Sequence, residues 1–332
     1  MAGYQLSGQV GADWQFVTLA GFSGNSTSDM LLRRSTDGAF QLYNVKNNNI
    51  NIANSPFLGA VGLEWQVMGF GNFGSFGKTD MMLRDNTGLF RVYNFINNLL
   101  VGNNPTGPVG VNWQFSGVGN FSGRGTSDML LRNSDNGELR AYNINSNQIT
   151  GSAVIGTVGV NWEFSGVGNF SSVPDESDLI LRDRNTGALQ IYDISNNRLT
   201  GSVSLGPVGV DWQFAGIAPI SAPGASDLVL RNVSTGAFQV YNIANNQLTG
   251  SAQLGRVGLD WKLPQLPSGF PGGGFAPSSP TGSAGSSDSS TSQLVQAMAE
   301  FGGGNGAIDS LNAAPLNVDA SQQTLLTTPQ HA

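Results

Sequence analysis

This chain of 332 residues has no cysteine. Disulfides, thiolate metal sites and cysteine nucleophiles are therefore excluded. Its one histidine, His331, stands next to the C-terminus. A Ser-His-Asp arrangement inside a folded body would have no base to draw on. Charge is scarce, with Asp, Glu, Lys and Arg making up 11% of the residues. What charge there is runs acidic, 22 carboxylates against 15 cations, a net −7. The clustered Lys and Arg that a phosphate backbone requires are missing, so no nucleic-acid partner is expected. No apolar run approaches the roughly 20 residues of a membrane helix. The opening stretch MAGYQLSGQVGADW has neither a basic region nor an apolar segment, so no cleaved N-terminal export signal is expected. The acids are scattered or repeat-periodic, which does not favour paired carboxylates for glycoside hydrolysis. The chain reads as a non-enzyme without a cofactor.

What is present is glycine, 46 residues of it, and a repeat. The stretch VNWQFSGVGNFSGRGTSDMLLR, residues 111–132, recurs along most of the chain. Its Trp falls at Trp14, Trp65, Trp113, Trp162, Trp212 and Trp261. The Asp of the following S-D-x-x-x-R or T-D-x-x-x-R falls at Asp29, Asp80, Asp128, Asp178 and Asp227. Its Arg falls at Arg33, Arg84, Arg132, Arg182 and Arg231. Successive copies begin 48 to 51 residues apart, and a fixed period of that length signals a repeat architecture.

One copy reads as four short strands. In the third, residues 112–118 alternate Trp113, Phe115 and Gly117 with Asn112, Gln114 and Ser116, the period of two that marks a strand. A Gly/Ser-rich loop leads to a second strand, 128–132. Asn136-Gly137 predicts a hairpin turn, since both residues tolerate positive φ. A third strand, 138–144, a polar turn at Asn145–Asn147 and a fourth strand from Gln148 complete the unit. Four strands per unit of this length is the pattern of a β-propeller blade. The expected fold is all-β, a propeller of about five four-stranded blades over 12–58, 63–107, 111–156, 160–206 and 210–255. Tyr4–Ser7 and Leu259–Leu263 are left over at the two ends, where they can clasp a closed ring. The alternative is a ring completed by a partner copy, and the oligomeric state stays open.

The propeller region is expected to span 1–263. All 15 cations lie within residues 1–262. A Pro/Gly/Ser-rich linker, 264–291, follows, too poor in apolar residues to repay ordering entropy. Residues 292–332 read as a mostly mobile tail with one short amphipathic helix, Ser292 to Phe301, on which Leu294, Met298 and Phe301 share a face. This base-free, uncleaved C-terminal stretch is expected to serve as an export signal, making the protein secreted without an N-terminal leader. The alternative is a cytoplasmic protein with a disordered tail.

The loop between the first two strands, G-x-G-N-F-S-G-x-G-x-S-D-M-L-L-R, resembles the FG-GAP or VCBS-type repeat of integrin-α-like propellers and bacterial exported proteins. The resemblance covers residues 1–263 in five copies. It implies a propeller whose D-x-[DN]-x-D-G-x-x-D loops bind calcium through hard oxygen ligands. Here most of those positions are empty. The third loop offers Asn120, Ser122, Arg124 and Asp128. Only the last carboxylate recurs, so no metal is expected. The weak candidate is the fourth loop, one residue longer, with Asn169, Asp175 and Asp178.

Two repeated pairs are the candidate functional residues. The Asp/Arg pair lies on one strand face and reads either as a ligand-binding row or as a fixed corner. In the second reading Asp caps loop N–H groups and Arg snorkels or pairs at the blade edge. Trp14, Trp65, Trp113, Trp162 and Trp212 each follow a polar residue, Asp13, Glu64, Asn112, Asn161 and Asp211. An aromatic face beside a polar group suits a sugar; the competing reading packs the Trp between blades. The expected function is multivalent, non-catalytic recognition of carbohydrate or a cell-surface glycan. The alternative is a structural or protein-interaction scaffold.

Overall fold

A computed structural model describes residues 10–22, 29–46, 49–51, 55–74, 79–96, 99–174, 176–222 and 225–260. These residues form five antiparallel sheets, the blades of a β-propeller. The first blade holds β1 (Trp14–Ala20), β2 (Asp29–Arg34), β3 (Ala39–Lys46), β4 (Asn49–Asn51) and β5 (Phe57–Ala60). The second holds β6 (Gln66–Gly71), β7 (Asp80–Arg84), β8 (Leu89–Ile96) and β9 (Leu99–Pro108). The third holds β10 (Trp113–Gly119), β11 (Asp128–Asn133), β12 (Glu138–Asn145) and β13 (Gln148–Thr157). The fourth holds β14 (Trp162–Gly168), β15 (Asp178–Asp183), β16 (Ala188–Ser195) and β17 (Arg198–Pro207). The fifth holds β18 (Trp212–Ala218), β19 (Asp227–Asn232), β20 (Ala237–Ala244) and β21 (Gln247–Arg256). Strand order within each sheet follows the chain, and β6, β10, β14 and β18 stand side by side as the first strands of neighbouring blades.

The blade boundaries agree with those read from the repeat to within a few residues. One difference is the last strand of blade 1, which is broken into β4 and β5, both paired with β3. The burial pattern explains the composition of each strand. The second strand is sandwiched between two blades, so β11, β15 and β19 are buried at every position. A strand covered on both faces reads as a continuous apolar run, which is why MLL, LIL and LVL do not alternate. The fourth strand is outermost and has one exposed face, so β13 alternates between exposed and covered positions.

The core lies between blades. Blade 2 contributes Met68, Phe73, Met82 and Phe90 to a cluster with Phe115, Val118, Met129 and Leu131 of blade 3. Equivalent clusters join blades 1 and 2, blades 3 and 4, and blades 4 and 5. Deleting one fully buried Phe from such a seam costs about 3–5 kcal/mol. The fifth seam differs. Blade 5 buries Val229, Phe238, Val240 and Val257 as a separate small cluster. In blade 1, Phe16, Leu19 and Met30, at the positions that pack on the preceding blade in the other seams, are only half-buried. Their counterparts Phe115, Val118 and Met129 expose 4%, 7% and 0%.

The two turn families differ in conformation. The turn between the third and fourth strands has both central residues at positive φ: Ser146 at 50° and Asn147 at 63°, Asn196 at 49° and Asn197 at 59°. That is the left-handed pair a two-residue hairpin needs, and Asn tolerates it. The turn between the second and third strands is longer than an Asn-Gly hairpin. Only its glycine has positive φ, 76° at Gly137, and the Gly137 N–H donates to the Asn133 carbonyl. A Cβ on Gly137 would also lie 1.8 Å from the Val158 carbonyl oxygen, so space as well as φ demands glycine.

The proposed clasp strand Tyr4–Ser7 lies outside the described residues, as do Trp261–Leu263, the linker 264–291 and the tail 292–332 with its expected helix. Of the second clasp segment, Leu259 and Asp260 are described and form a turn. No helix among the described residues is long and apolar enough to cross a membrane.

Candidate binding sites

The recurring Asp sits at the start of each second strand and is fully buried. Its carboxylate caps the loop from the first strand. Asp80 Oδ2 accepts N–H bonds from Phe73 and Gly74, and Asp178 Oδ2 accepts them from Phe170 and Ser171. Asp128 accepts from Ser122 N–H on one oxygen and from Ile144 N–H on the other. This is the corner reading. It also has an electrostatic side: burial pushes the Asp178 carboxyl up to about 6, against the N–H groups of Ser171 and Phe170 that favour its charged form. Burial likewise raises Asp80 and Asp128.

The recurring Arg does something the sequence reading missed. It reaches across the seam and grips the crossover into the next blade. Arg84 donates from Nη2 to the Gly110 carbonyl at 2.8 Å and from Nη1 to the Trp113 carbonyl at 2.6 Å. Arg33 does the same to Gly62 at 2.9 Å, Arg182 to Gly209 at 2.8 Å and Arg231 to Gly258 at 2.9 Å. The guanidinium also lies over a ring of its own blade, as Arg84 does over Phe90 at 5.0 Å. The fork geometry explains why this position is Arg in every blade, because Lys cannot hold several carbonyls in one plane.

Two further joints between blades were not read from the sequence. Ser127 Oγ accepts the Asn72 N–H at 2.9 Å, and Ser177 and Ser226 take Asn120 and Asn169 in the same way. Asn147 Nδ2 donates to Asn94 Oδ1 at 2.7 Å, and Asn246 Nδ2 donates to both oxygens of Asp193 at 2.9 Å. The signals were present, a Ser or Thr before the Asp and a polar residue after the Tyr of each third strand, Tyr43, Tyr93, Tyr142, Tyr192 and Tyr241. They describe contacts between copies, which a period alone does not display.

The aromatic candidates divide. Trp65 and Trp212 are buried inside the seam clusters, with 8% and 9% exposure. Trp14, Trp113 and Trp162 are half-buried. Three rings carry a cation: Arg34 over Trp14 at 5.3 Å, Arg91 over Trp65 at 4.6 Å and Arg140 over Trp113 at 5.2 Å. Their polar neighbours face the turn after the second strand. Asn112 Nδ2 donates to Asp135 Oδ2 at 2.9 Å, Asn161 Nδ2 donates to Asp183, and Asp211 accepts from Asn232. Asp13 offers its backbone carbonyl to the Ser35 hydroxyl at 2.9 Å. Glu64 lies in the field of Arg33. The structure thus places each Trp beside its polar partner on one end of its blade, with much of the hydrogen-bonding capacity already used.

In the fourth loop Asn169 Nδ2 donates to the Val173 carbonyl, and Asp178 is committed to loop N–H groups. Asp175 lies outside the described residues. No group of three or more metal-ligating side chains occurs among the described residues.

No family model matches the sequence, and no curated protein matches it significantly. Solved structures do resemble the fold. A chain of the Photorhabdus luminescens Tc holotoxin pore superposes with a TM-score of 0.50 at 11% identity, over 71% of this chain. This chain spans only 13% of that toxin chain. Chaetomium thermophilum Raptor gives 0.46 at 10% identity, over 74% of this chain and 21% of Raptor. A quinonprotein alcohol dehydrogenase-like protein from Bacteroides thetaiotaomicron gives 0.40 at 9% identity, over 74% of this chain and 67% of that one. What the likeness to the toxin chain shows is the fold alone, a β-propeller built here of five four-stranded blades.

Proposed function

We propose that this chain is a non-catalytic binding scaffold that offers one equivalent surface per blade. A single observation carries this reading. Recurring polar side chains, as Asp128, Arg132, Ser177 and Asn147 show, are bonded to backbone or to a neighbouring blade. Groups held this way position a surface and are poorly placed to turn over a substrate. Repetition of that surface multiplies weak affinities when the ligand is itself repeated. The test is a turnover panel of polysaccharides, esters and phosphoesters, in which the folded chain and a heat-denatured control should be equally inactive. Hydrolysis by the folded chain alone would overturn the reading.

Carbohydrate recognition is the second reading, supported by the half-buried rings of Trp14, Trp113 and Trp162 beside Asp13, Asn112 and Asn161. A glycan array separates the two. Retention of folded protein on defined glycans, lost in Trp113→Ala with Trp162→Ala, would establish it.

A further inference from the structure

Packing against a seam uses part of each Trp ring, and what lies on the remainder differs between blades. Trp65 and Trp212 are buried. Over Trp14 lies Arg34, its partner across the first two strands, and over Trp113 lies Arg140 of the third strand. Arg140 is held in turn by Glu138, Nη2 to Oε1 at 2.6 Å, and the Tyr142 ring meets Trp113 edge-on. The C–H face of a sugar and a guanidinium compete for the same π surface. A sugar at Trp14 or Trp113 must therefore first displace a cation.

Blade 4 repeats the register of blade 3 with different residues at these positions. Phe164 pairs with Leu181 and Leu181 with Gln190, as Phe115 pairs with Leu131 and Leu131 with Arg140. Gln190 therefore stands where blade 3 has Arg140, and Ala188 where it has Glu138. Across from Trp162 is Asp183, where blade 1 has Arg34. Trp162 packs half-buried against the same cluster as Tyr192. Among the described residues, no cation or aromatic ring pairs with Trp162, and the Gln190 amide and Tyr192 hydroxyl make no hydrogen bond.

The charged groups near this ring are already engaged. Asp183 accepts from Asn161 and from the N–H groups of Asn185 and Thr186. Arg184 lies 3.4 Å from Glu163, and Arg132 donates to the Gly159 and Trp162 carbonyls. What stays available beside the aromatic surface is uncharged, one amide and one hydroxyl. That combination suits a sugar whose C–H face stacks and whose hydroxyls bond the two polar groups.

Resting on the carbohydrate reading, we propose that sugar recognition is confined to one blade. Trp162, with Gln190 and Tyr192, is the platform for a neutral hexopyranose, and Arg34 and Arg140 close the corresponding surfaces of blades 1 and 3.

The test follows the indole N–H signals of the isotope-labelled full chain, which has six Trp. The probes are the methyl glycosides of β-galactose, β-glucose and α-mannose, with methyl β-glucuronide as the charged control. A neutral glycoside should move one signal, assigned by its loss in Trp162→Phe, with a Kd on the order of 1 mM. Ala188→Glu with Gln190→Arg rebuilds in blade 4 the arrangement that blade 3 already folds with. It should weaken binding at least about tenfold, while the remaining indole signals report an intact fold. Glu138→Ala with Arg140→Gln uncovers Trp113 and should make a second signal move. Unchanged binding in the blade 4 variant overturns the proposal, as does the absence of a second signal in the blade 3 variant. Movement of the Trp14 or Trp113 signals in the parent chain, or a response to the glucuronide alone, overturns it and leaves the carbohydrate reading standing. No shift with any neutral glycoside overturns it too, and retention on a glycan array then decides the carbohydrate reading by itself.

Discussion

Arg132 donates from Nη2 to the carbonyl oxygen of Gly159, 2.7 Å away in the next blade and 27 residues on. A charged donor on a carbonyl contributes about 1.5–3 kcal/mol, here on one that also accepts the Trp162 N–H at 3.0 Å. Arg132→Met should lower stability by about that much, read as an earlier urea midpoint at constant slope. Arg132→Lys should recover only part, because one ammonium cannot reach both the Gly159 and Trp162 carbonyls held by the fork. Full recovery by Lys would mean that charge, not geometry, makes the joint.

Gly137 and Gly125 provide a matched pair. Both have positive φ, 76° and 74°. A Cβ on Gly137 meets the Val158 carbonyl oxygen at 1.8 Å, whereas one on Gly125 meets nothing within 4 Å. Gly125→Ala should cost the backbone term alone, about 1–2 kcal/mol. Gly137→Ala should cost clearly more, since the crossover must also shift. Equal melting temperatures for the two variants would refute this account of the turn.

These two positions also show how much the sequence revealed. Strand count, blade limits and the buried Asp corner follow from the period and from side-chain alternation, which are local properties. The partner of Arg132 does not, because Gly159 belongs to the next copy and nothing in a repeat states which copies touch. Asn136-Gly137 predicts a hairpin turn centred on those two residues. The backbone instead turns earlier, because Asn133 Oδ1 accepts the N–H of Asp135 at 2.8 Å and starts it there. The Trp positions were legible, with packing between blades as one of two readings; which rings are buried, Trp65 and Trp212, was not, since it depends on which blade faces each ring.

Asp178 should make stability respond to pH in an unusual direction. Its folded carboxyl is raised to about 6 by burial, above the ordinary value of 3.8. Between those values the folded chain holds a proton that the unfolded chain has released. Stability therefore rises as pH falls from 7 through 6, and the gain is complete below the unfolded value, worth up to about 3 kcal/mol. Asp80 and Asp128, raised by burial too, act in the same direction. Opposing groups come in lower. Asp37 is held at about 2 by Arg34, and its contribution is lost only as pH falls towards that value. Urea midpoints at pH 7, 6 and 5 should increase in that order, and Asp178→Asn should flatten the trend. A maximum at neutral pH would count against a buried, proton-binding Asp178.

The loops should be indifferent to calcium. Asp80, Asp128 and Asp178 each already spend one oxygen on loop N–H groups. EDTA or added calcium should leave the melting temperature unchanged. A shift above ~10 °C, several kcal/mol in a domain of this size, would mean that these carboxylates exchange backbone for metal.

The seam between blades 5 and 1 should open first. Four seams carry continuous apolar clusters, whereas Phe16, Leu19 and Met30 are half-buried on the blade 1 side. Native-state hydrogen exchange should show β1 exchanging faster than β10, by a free-energy difference of a few kcal/mol. Equal protection of the two strands would show that the ring closes as firmly there as elsewhere.

The Arg joint also bears on how such a chain can lengthen. Each blade carries a grip for the blade after it and a crossover to be gripped by the one before. Arg231 already holds Gly258, the crossover that follows the fifth blade. A tandem duplication of one period, cut at any point, would therefore bring in one complete grip and one complete handle. No compensating change elsewhere is required for the new unit to be held on both sides. Growth and shrinkage of the gene by whole periods would be tolerated at the level of the joints, leaving the geometry of closure as the quantity that limits their number.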